Sequence, residues 1–146
     1  MAMTAALMMS GSVAQAQDVN IGRSNITLTS DLMTPETLWA MGRIGAAQAS
    51  PDGKKIVYQV GYYSVKENKG HQVLRVMDAD GKNDRLLTTS AKSEGDVAWL
   101  DNNTLAFLTG GQLWTMNADG TNRKQLTHSD IDIEGFRFSP DRKRVV

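Results

Sequence analysis

A 39-residue internal repeat constrains this chain more than any other feature. Residues 73–88 and 112–127 align without a gap, and eight of the sixteen positions are identical: Leu74/Leu113, Met77/Met116, Ala79/Ala118, Asp80/Asp119, Gly81/Gly120, Asn83/Asn122, Leu87/Leu126 and Thr88/Thr127. A second element, Ala49-Ser50-Pro51-Asp52-Gly53-Lys54-Lys55-Ile56-Val57, returns as Phe138-Ser139-Pro140-Asp141-Arg142-Lys143-Arg144-Val145-Val146. A degenerate copy, Trp99-Leu100-Asp101-Asn102-Asn103-Thr104-Leu105-Ala106-Phe107, lies between them. The intervals from Ala49 to Trp99 and from Trp99 to Phe138 are 50 and 39 residues. The excess is expected as ten residues between Tyr58 and Val73, forming a loop at about 64–71, with one residue missing from Asp101-Asn102-Asn103. A period near 40 that holds several short strands is what a propeller blade requires.

Each repeat divides into strands with a physical reason at every turn. In Ser50-Pro51-Asp52-Gly53, Pro51 presets φ, Asp52 bonds the local backbone and Gly53 takes the left-handed position. Asn102-Asn103 replaces this turn in the second copy, since Asn tolerates the left-handed region. Arg142 stands where the third copy should have glycine, at a cost of about 1 kcal/mol if φ is kept. Asp80-Gly81 and Asp119-Gly120 mark the next hairpins. Strands are expected at 44–49, 55–63, 72–78 and 85–88, then at 96–100, 104–109, 112–117 and 124–127. The fold class expected is all-β: an incomplete propeller over 44–146, with blades at about 44–88 and 94–127 and a truncated third at 133–146. An open stack leaves blade faces bare, so the chain is expected to be the opening piece of a longer one.

Ahead of the repeats stand a leader and a short helix. Residues 1–16 carry no charge, are apolar through Ala5-Ala6-Leu7-Met8-Met9, and close on Ala14-Gln15-Ala16, a small-x-small cleavage pattern. A secretory signal peptide cut before Gln17 is expected, hence export to the periplasm or beyond, although no Lys or Arg precedes Asp18. The stretch is too short for a membrane span. Residues 17–43 read as an arm and one short helix, with Thr34 as cap, Pro35 at its first position and Glu36 in its first turn. Met33 and Leu38 stand at staple spacing, Gly42 ends the helix, and Trp39 is expected to anchor it by packing. Sixteen basic and sixteen acidic residues leave no electrostatic case for nucleic acid or an anionic membrane surface. With no cysteine, there is no disulfide framework and no thiolate nucleophile.

Leu32-Met33-Thr34-Pro35-Glu36-Thr37-Leu38-Trp39, Gly42-Arg43-Ile44-Gly45 and Ala49-Ser50-Pro51-Asp52-Gly53-Lys54-Lys55-Ile56 resemble the opening of exported bacterial serine peptidases of the prolyl oligopeptidase family, in its dipeptidyl-peptidase and acylaminoacyl-peptidase branches. Met77-Asp78-Ala79-Asp80-Gly81-Lys82-Asn83 with Leu87-Thr88, and its second copy, are similar to that family's blades. The resemblance implies a propeller set over a C-terminal α/β-hydrolase domain, restricting a Ser-His-Asp site to short peptides. Gly22-Arg23-Ser24-Asn25-Ile26 fails the Gly-x-Ser-x-Gly elbow at its last position, so no catalytic residue is assigned to this chain. Some branches hold the substrate's amino terminus on a propeller carboxylate, but Glu67, Glu94 and Glu134 match no such motif. The blade motif is shared with the periplasmic Tol-system propeller, a non-catalytic binder of envelope proteins and the alternative reading. That protein places an α/β domain before its blades, and the 27 residues 18–44 are too few for one.

Other residues read as structural. His71 and His128 are expected in loops, with no second ligand at a metal spacing. Asp78-x-Asp80 with Asn83 and Asp84 lacks the glycine position and terminal acid of a calcium loop, so no metal or cofactor is expected. Trp99 and Trp114 are expected to pack between blades, and Arg142-Lys143-Arg144 to form a solvated turn. Asn25-Ile26-Thr27 and Asn102-Asn103-Thr104 are glycosylation sequons too common to carry weight.

Overall fold

The computed structural model describes residues 21–27, 31–88 and 90–146, so the expected signal segment and its Ala14-Gln15-Ala16 cleavage site lie outside the described residues. One helix, α1 (Pro35–Ala40), leads into two antiparallel four-stranded sheets. The first runs in the order β1 (Arg43–Ala49), β2 (Lys55–Ser64), β3 (Lys69–Asp78) and β4 (Arg85–Leu86). The second repeats that order with β5 (Glu94–Trp99), β6 (Thr104–Thr109), β7 (Gln112–Asn117) and β8 (Lys124–Gln125). The leading strands share an irregularity: pairing shifts between Ile44 and Ala47 in β1 and between Gly95 and Ala98 in β5. In β5 that bulge places Asp96 at φ 46°.

Two expectations are corrected. The extra residues around 64–71 do not form a loop: β2 and β3 stay paired from Lys55↔Asp78 to Ser64↔Lys69, closing over a tight tip with Asn68 at φ 48°. The insertion is a longer hairpin, because Tyr62-Tyr63 continues the strand and Asn68 supplies the left-handed turn residue. His71 therefore lies on β3 and is buried, while His128 is exposed outside any strand. The outer strands are also shorter than expected, two residues each. Beyond them the ladder keeps one backbone bond, Leu87 N–H to Leu74 O at 2.9 Å and Leu126 N–H to Leu113 O at 2.8 Å, and a hydroxyl takes the next: Leu74 N–H donates to Thr88 Oγ1 at 3.2 Å, and Leu113 N–H to Thr127 Oγ1 at 2.9 Å. The repeated Leu-Thr pair thus caps the sheet edge with a hydroxyl.

The turns at one end of the sheets explain most of the repeat. Gly53 and Arg142 both donate N–H to the serine three residues back, Ser50 and Ser139, at 2.8 Å. Ser50 and Ser139 each donate a hydroxyl bond to the aspartate two residues on, Asp52 and Asp141. Gly53 has φ 70° and Arg142 keeps the left-handed conformation at φ 58°. The Asp-Gly hairpins match as closely: Gly81 and Gly120 have φ 83° and 87°, and Asn83 and Asn122 both have φ 54°. Asp80 and Asp119 each accept the N–H two residues on. The third copy of the Ser-Pro-Asp element closes with a bridge between Phe138 and Val145.

The two sheets pack face to face. Val57, Leu74, Val76 and Leu87 of the first repeat meet Val97, Trp99, Leu105, Phe107 and Met116 of the second in one core. On the far side of the second sheet, Ala106 and Leu113 pack against Phe136 and Phe138. Polar contacts pin the seam between the sheets at several heights. Trp99 Nε1 donates to Gln48 O at 3.1 Å, Asp52 N–H to Asn102 Oδ1 at 3.0 Å, and Arg85 Nη2 to Ala118 O at 2.8 Å. Trp99 is buried in that seam and Trp114 is packed half-buried against it, as expected of both. Arg142 is not a free surface charge, for its guanidinium donates to the carbonyls of Trp99 and Leu100. Charge-assisted bonds of about 1.5–3 kcal/mol each outweigh the strain of about 1 kcal/mol at its φ.

α1 forms as its sequence requires. Thr34 is the cap, Thr37 N–H donates to its Oγ1 at 3.2 Å, and Pro35 occupies the first turn. Trp39 anchors the helix by packing on Tyr63, ring centres 4.8 Å apart with the planes tilted by 41°, and the Arg43 guanidinium lies 4.8 Å from the Trp39 ring centre. Gly42 lets the chain pass close to β2: a Cβ there would come within 2.9 Å of Tyr62 and Val60.

Candidate functional site

Among the described residues one carboxylate is buried in the interior. Glu94, the first residue of β5, has 1% of its side chain exposed and forms an ion pair with Arg123. Arg123 comes from the turn before β8 and lies across the seam face of the second sheet, 4.8 Å over the Phe107 ring and 5.7 Å from Trp114. Register places these groups together: Glu94 pairs with Thr109 on β6, and Phe107 pairs with Trp114 on β7. Arg123 meets one carboxylate oxygen, and Glu94 Oε2 has no hydrogen-bond partner among the described residues. Burial pushes the Glu94 carboxyl above its usual range, and the hydrogen bond and charge of Arg123, with a smaller contribution from His71, only partly offset this. Arg123, Lys92, Gln112 and Trp114 line a cleft of ≈ 360 Å³ beside the pair.

The matching face of the first sheet is dressed differently. By the repeat offsets, Tyr58, Arg75 and Asp84 stand where the second sheet has Phe107, Trp114 and Arg123. There they form a polar network: Arg75 Nη2 donates to Asp84 Oδ2 at 2.7 Å and Tyr58 Oη to Asp84 Oδ1 at 2.7 Å. The Arg75 hydrogen bond holds the Asp84 carboxyl below its usual range. A hollow of ≈ 610 Å³ opens over this network, bounded also by Ile26, Met41 and Ile44. A second hollow, ≈ 580 Å³, lies between the arm, α1 and the tip of the long hairpin, with Ile21, Trp39, Tyr63 and Glu67 in its wall.

The three carboxylates considered from the sequence are not brought together. Glu67 sits at the hairpin tip beside Lys66, 3.8 Å away, Glu94 is buried in the seam, and Glu134 is exposed in the segment before the third repeat. Sequence reasoning missed the Glu94–Arg123 pair, because nothing local to Ser93-Glu94-Gly95-Asp96 marks burial and the partner lies 29 residues away. Among the described residues no group of three His, Asp or Glu side chains could hold a metal ion, and no helix is long and apolar enough to cross a membrane. Ser24, at the centre of the failed elbow motif, lies on the arm between the two larger hollows. Both ring nitrogens of His71 face backbone carbonyls, so His71 offers Ser24 no base.

Two curated relatives share the pattern. The chain is 35% identical over 125 residues to Dipeptidyl-peptidase 5 of Porphyromonas endodontalis, and 41% identical over 125 residues to Dipeptidyl-peptidase 5 of Porphyromonas gingivalis. Each match covers 82% of this chain and 18% of the relative, so the chain spans less than a fifth of the length of the curated relatives it matches. No family model matches it. Among solved structures, the apo isopeptidase AtxE2 superposes with TM-score 0.59 at 18% identity, covering 75% of this chain and 22% of that one. An oligogalacturonate lyase in complex with manganese gives 0.53 at 20% identity, covering 71% and 34%. These likenesses concern the fold alone, and the fold is propeller-like: strands in repeated four-stranded antiparallel sheets packed face to face.

Proposed function

We propose that this chain is the opening part of the propeller of an exported serine exopeptidase of the dipeptidyl-peptidase type. In this reading the two sheets are successive blades, and residues 136–146 begin a third. The observation that carries the proposal is the 35–41% identity over 125 residues to two dipeptidyl-peptidases, joined to sheets that repeat strand for strand. The propeller's task is access: short peptides reach a Ser-His-Asp site on a hydrolase domain supplied by the rest of the protein, and folded proteins do not. In this reading the residues of this chain build and seal the blades, and the catalytic set belongs to the hydrolase domain.

The test is activity-based labelling of the full-length protein with a serine-directed phosphonate, combined with determination of its mature N-terminus. Labelling of one serine in a Gly-x-Ser-x-Gly elbow, with Gln17 as first residue, is the expected result. A reading frame that ends after its blades with no hydrolase domain would overturn the peptidase reading and favour a binding propeller of the Tol-system kind. A mature protein that retains Met1 would remove export from the account.

A further inference from the structure

His71 holds a position that its neighbours make chemically specific. It is 5% exposed, and both ring nitrogens meet backbone carbonyls: Nδ1 lies 2.7 Å from Ile21 O and Nε2 lies 3.0 Å from Ser90 O. A carbonyl oxygen only accepts, so both ring nitrogens must donate for both bonds to form. A neutral imidazole has one donor and one lone pair. The two carbonyls belong to different segments, the N-terminal arm and the linker between the sheets. Ile21 is itself buried, and it lines the ≈ 580 Å³ hollow together with Gly22, Ser24 and Ile26 of the arm.

We propose that His71 is a proton-operated clasp that fastens the arm, residues 21–27, to the first sheet: the doubly protonated ring holds arm and linker together, and loss of one proton frees the arm. The surroundings accommodate the charged ring. On β2 its register partner is Tyr62, and on β5 the buried Glu94 is stabilised in its charged form by the charge on His71. Lys69 lies two residues away on β3 itself. Arg23 and Lys92 each stand two residues beyond a bonded carbonyl, on segments that reach solvent. Once one proton leaves, one carbonyl faces a nitrogen lone pair in a buried site, a contact that costs free energy on both sides. The arm is the part that yields, because among the described residues it pairs with no strand. Its release unroofs the hollow beside Trp39 and Tyr63.

The test follows the ring and the arm together by NMR on the full chain. Imidazole ¹⁵N shifts of His71 report the number of ring protons, and the Ile21 methyl signals report docking. Both nitrogens should carry protons on the acid side. The docking equilibrium should fall by about tenfold as one proton leaves, the worth of one buried hydrogen bond. In His71→Gln, which offers one donor and one acceptor, the arm should be undocked at every pH, while His128→Gln should behave as the native chain. A ring that stays singly protonated with the arm docked, or docking that does not change through the ring's titration, would overturn the proposal. If His71→Gln does not fold, the titration of the native protein still decides.

Discussion

Removing the arginine of the Glu94–Arg123 pair should cost far more than removing the acid. Glu94 has 1% of its side chain exposed and Arg123 has 29%. Arg123→Met keeps the stem over Phe107 and Trp114 but leaves a buried carboxylate without its counter-charge. Breaking such a pair costs about 3–5 kcal/mol when the charge must stay. The protein can instead keep Glu94 protonated. The gap of about 2.5 between pH 7 and the carboxyl's ordinary 4.5 limits that cost to about 3.4 kcal/mol, at about 1.36 per pH unit. Because native Glu94 already carries part of that cost, the expected loss for Arg123→Met at pH 7 is at most about 3 kcal/mol. Glu94→Gln keeps an acceptor for Arg123, whose guanidinium retains two rings and partial solvent, and it should lie within about 1 kcal/mol of the native protein. The sign with pH follows from burial, which raises the Glu94 carboxyl overall. Its favourable contribution is complete in acid, below 4.5, and is lost as pH rises through the folded value. Accordingly the Arg123→Met deficit should shrink as pH falls toward 4.5. Urea unfolding followed by tryptophan fluorescence at pH 5 and pH 7 measures each difference. Equal losses for the two variants, or an Arg123→Met deficit that grows in acid, would refute the reasoning.

Other expectations follow from the turns and the outer network. Asn83→Ala should cost about 1 kcal/mol more than Asn83→Gly, because φ is 54° there and both variants lose the bond to Asp78; the Asn122 pair of variants should show the same Ala-to-Gly difference in the same denaturant series. Arg142→Gly should relieve backbone strain yet still destabilise by about 1 kcal/mol or more, through loss of the bonds to Trp99 and Leu100, as read by the urea midpoint. Asp84 is held below its ordinary 3.8 by the Arg75 hydrogen bond. Its stabilising contribution should be intact at neutral pH and fade as pH falls through that lowered value, and Asp84→Asn should abolish this acid dependence in pH-resolved melts.

The repeat was legible because its identities are backbone requirements. Gly81, Gly120, Asn83 and Asn122 hold left-handed turns, and Thr88 and Thr127 close the sheet edge, so a one-dimensional match carries three-dimensional content. The two matched strands β6 and β7 were read to the residue for the same reason, since turns bound them on both sides. The long hairpin was misread because Lys66, Glu67, Asn68, Lys69 and Gly70 have loop composition, although Tyr62-Tyr63 before them favours strand and Asn68 favours a tight turn. That one error placed His71 in a loop rather than in a buried bond network. Glu94 was illegible for a deeper reason. Its burial depends on Arg123, 29 residues away, and on a face that exists only when two sheets stack.

We propose that these blades serve a peptidase that accepts short peptides. The most direct test is hydrolysis of dipeptidyl chromogenic substrates by the complete protein, compared with a folded protein substrate under the same conditions. The dipeptidyl substrates should be turned over, with turnover abolished by a serine-directed phosphonate and the folded protein left intact. A complete protein with no phosphonate-sensitive turnover of short peptides would contradict the proposal, as would one that degrades folded proteins equally well.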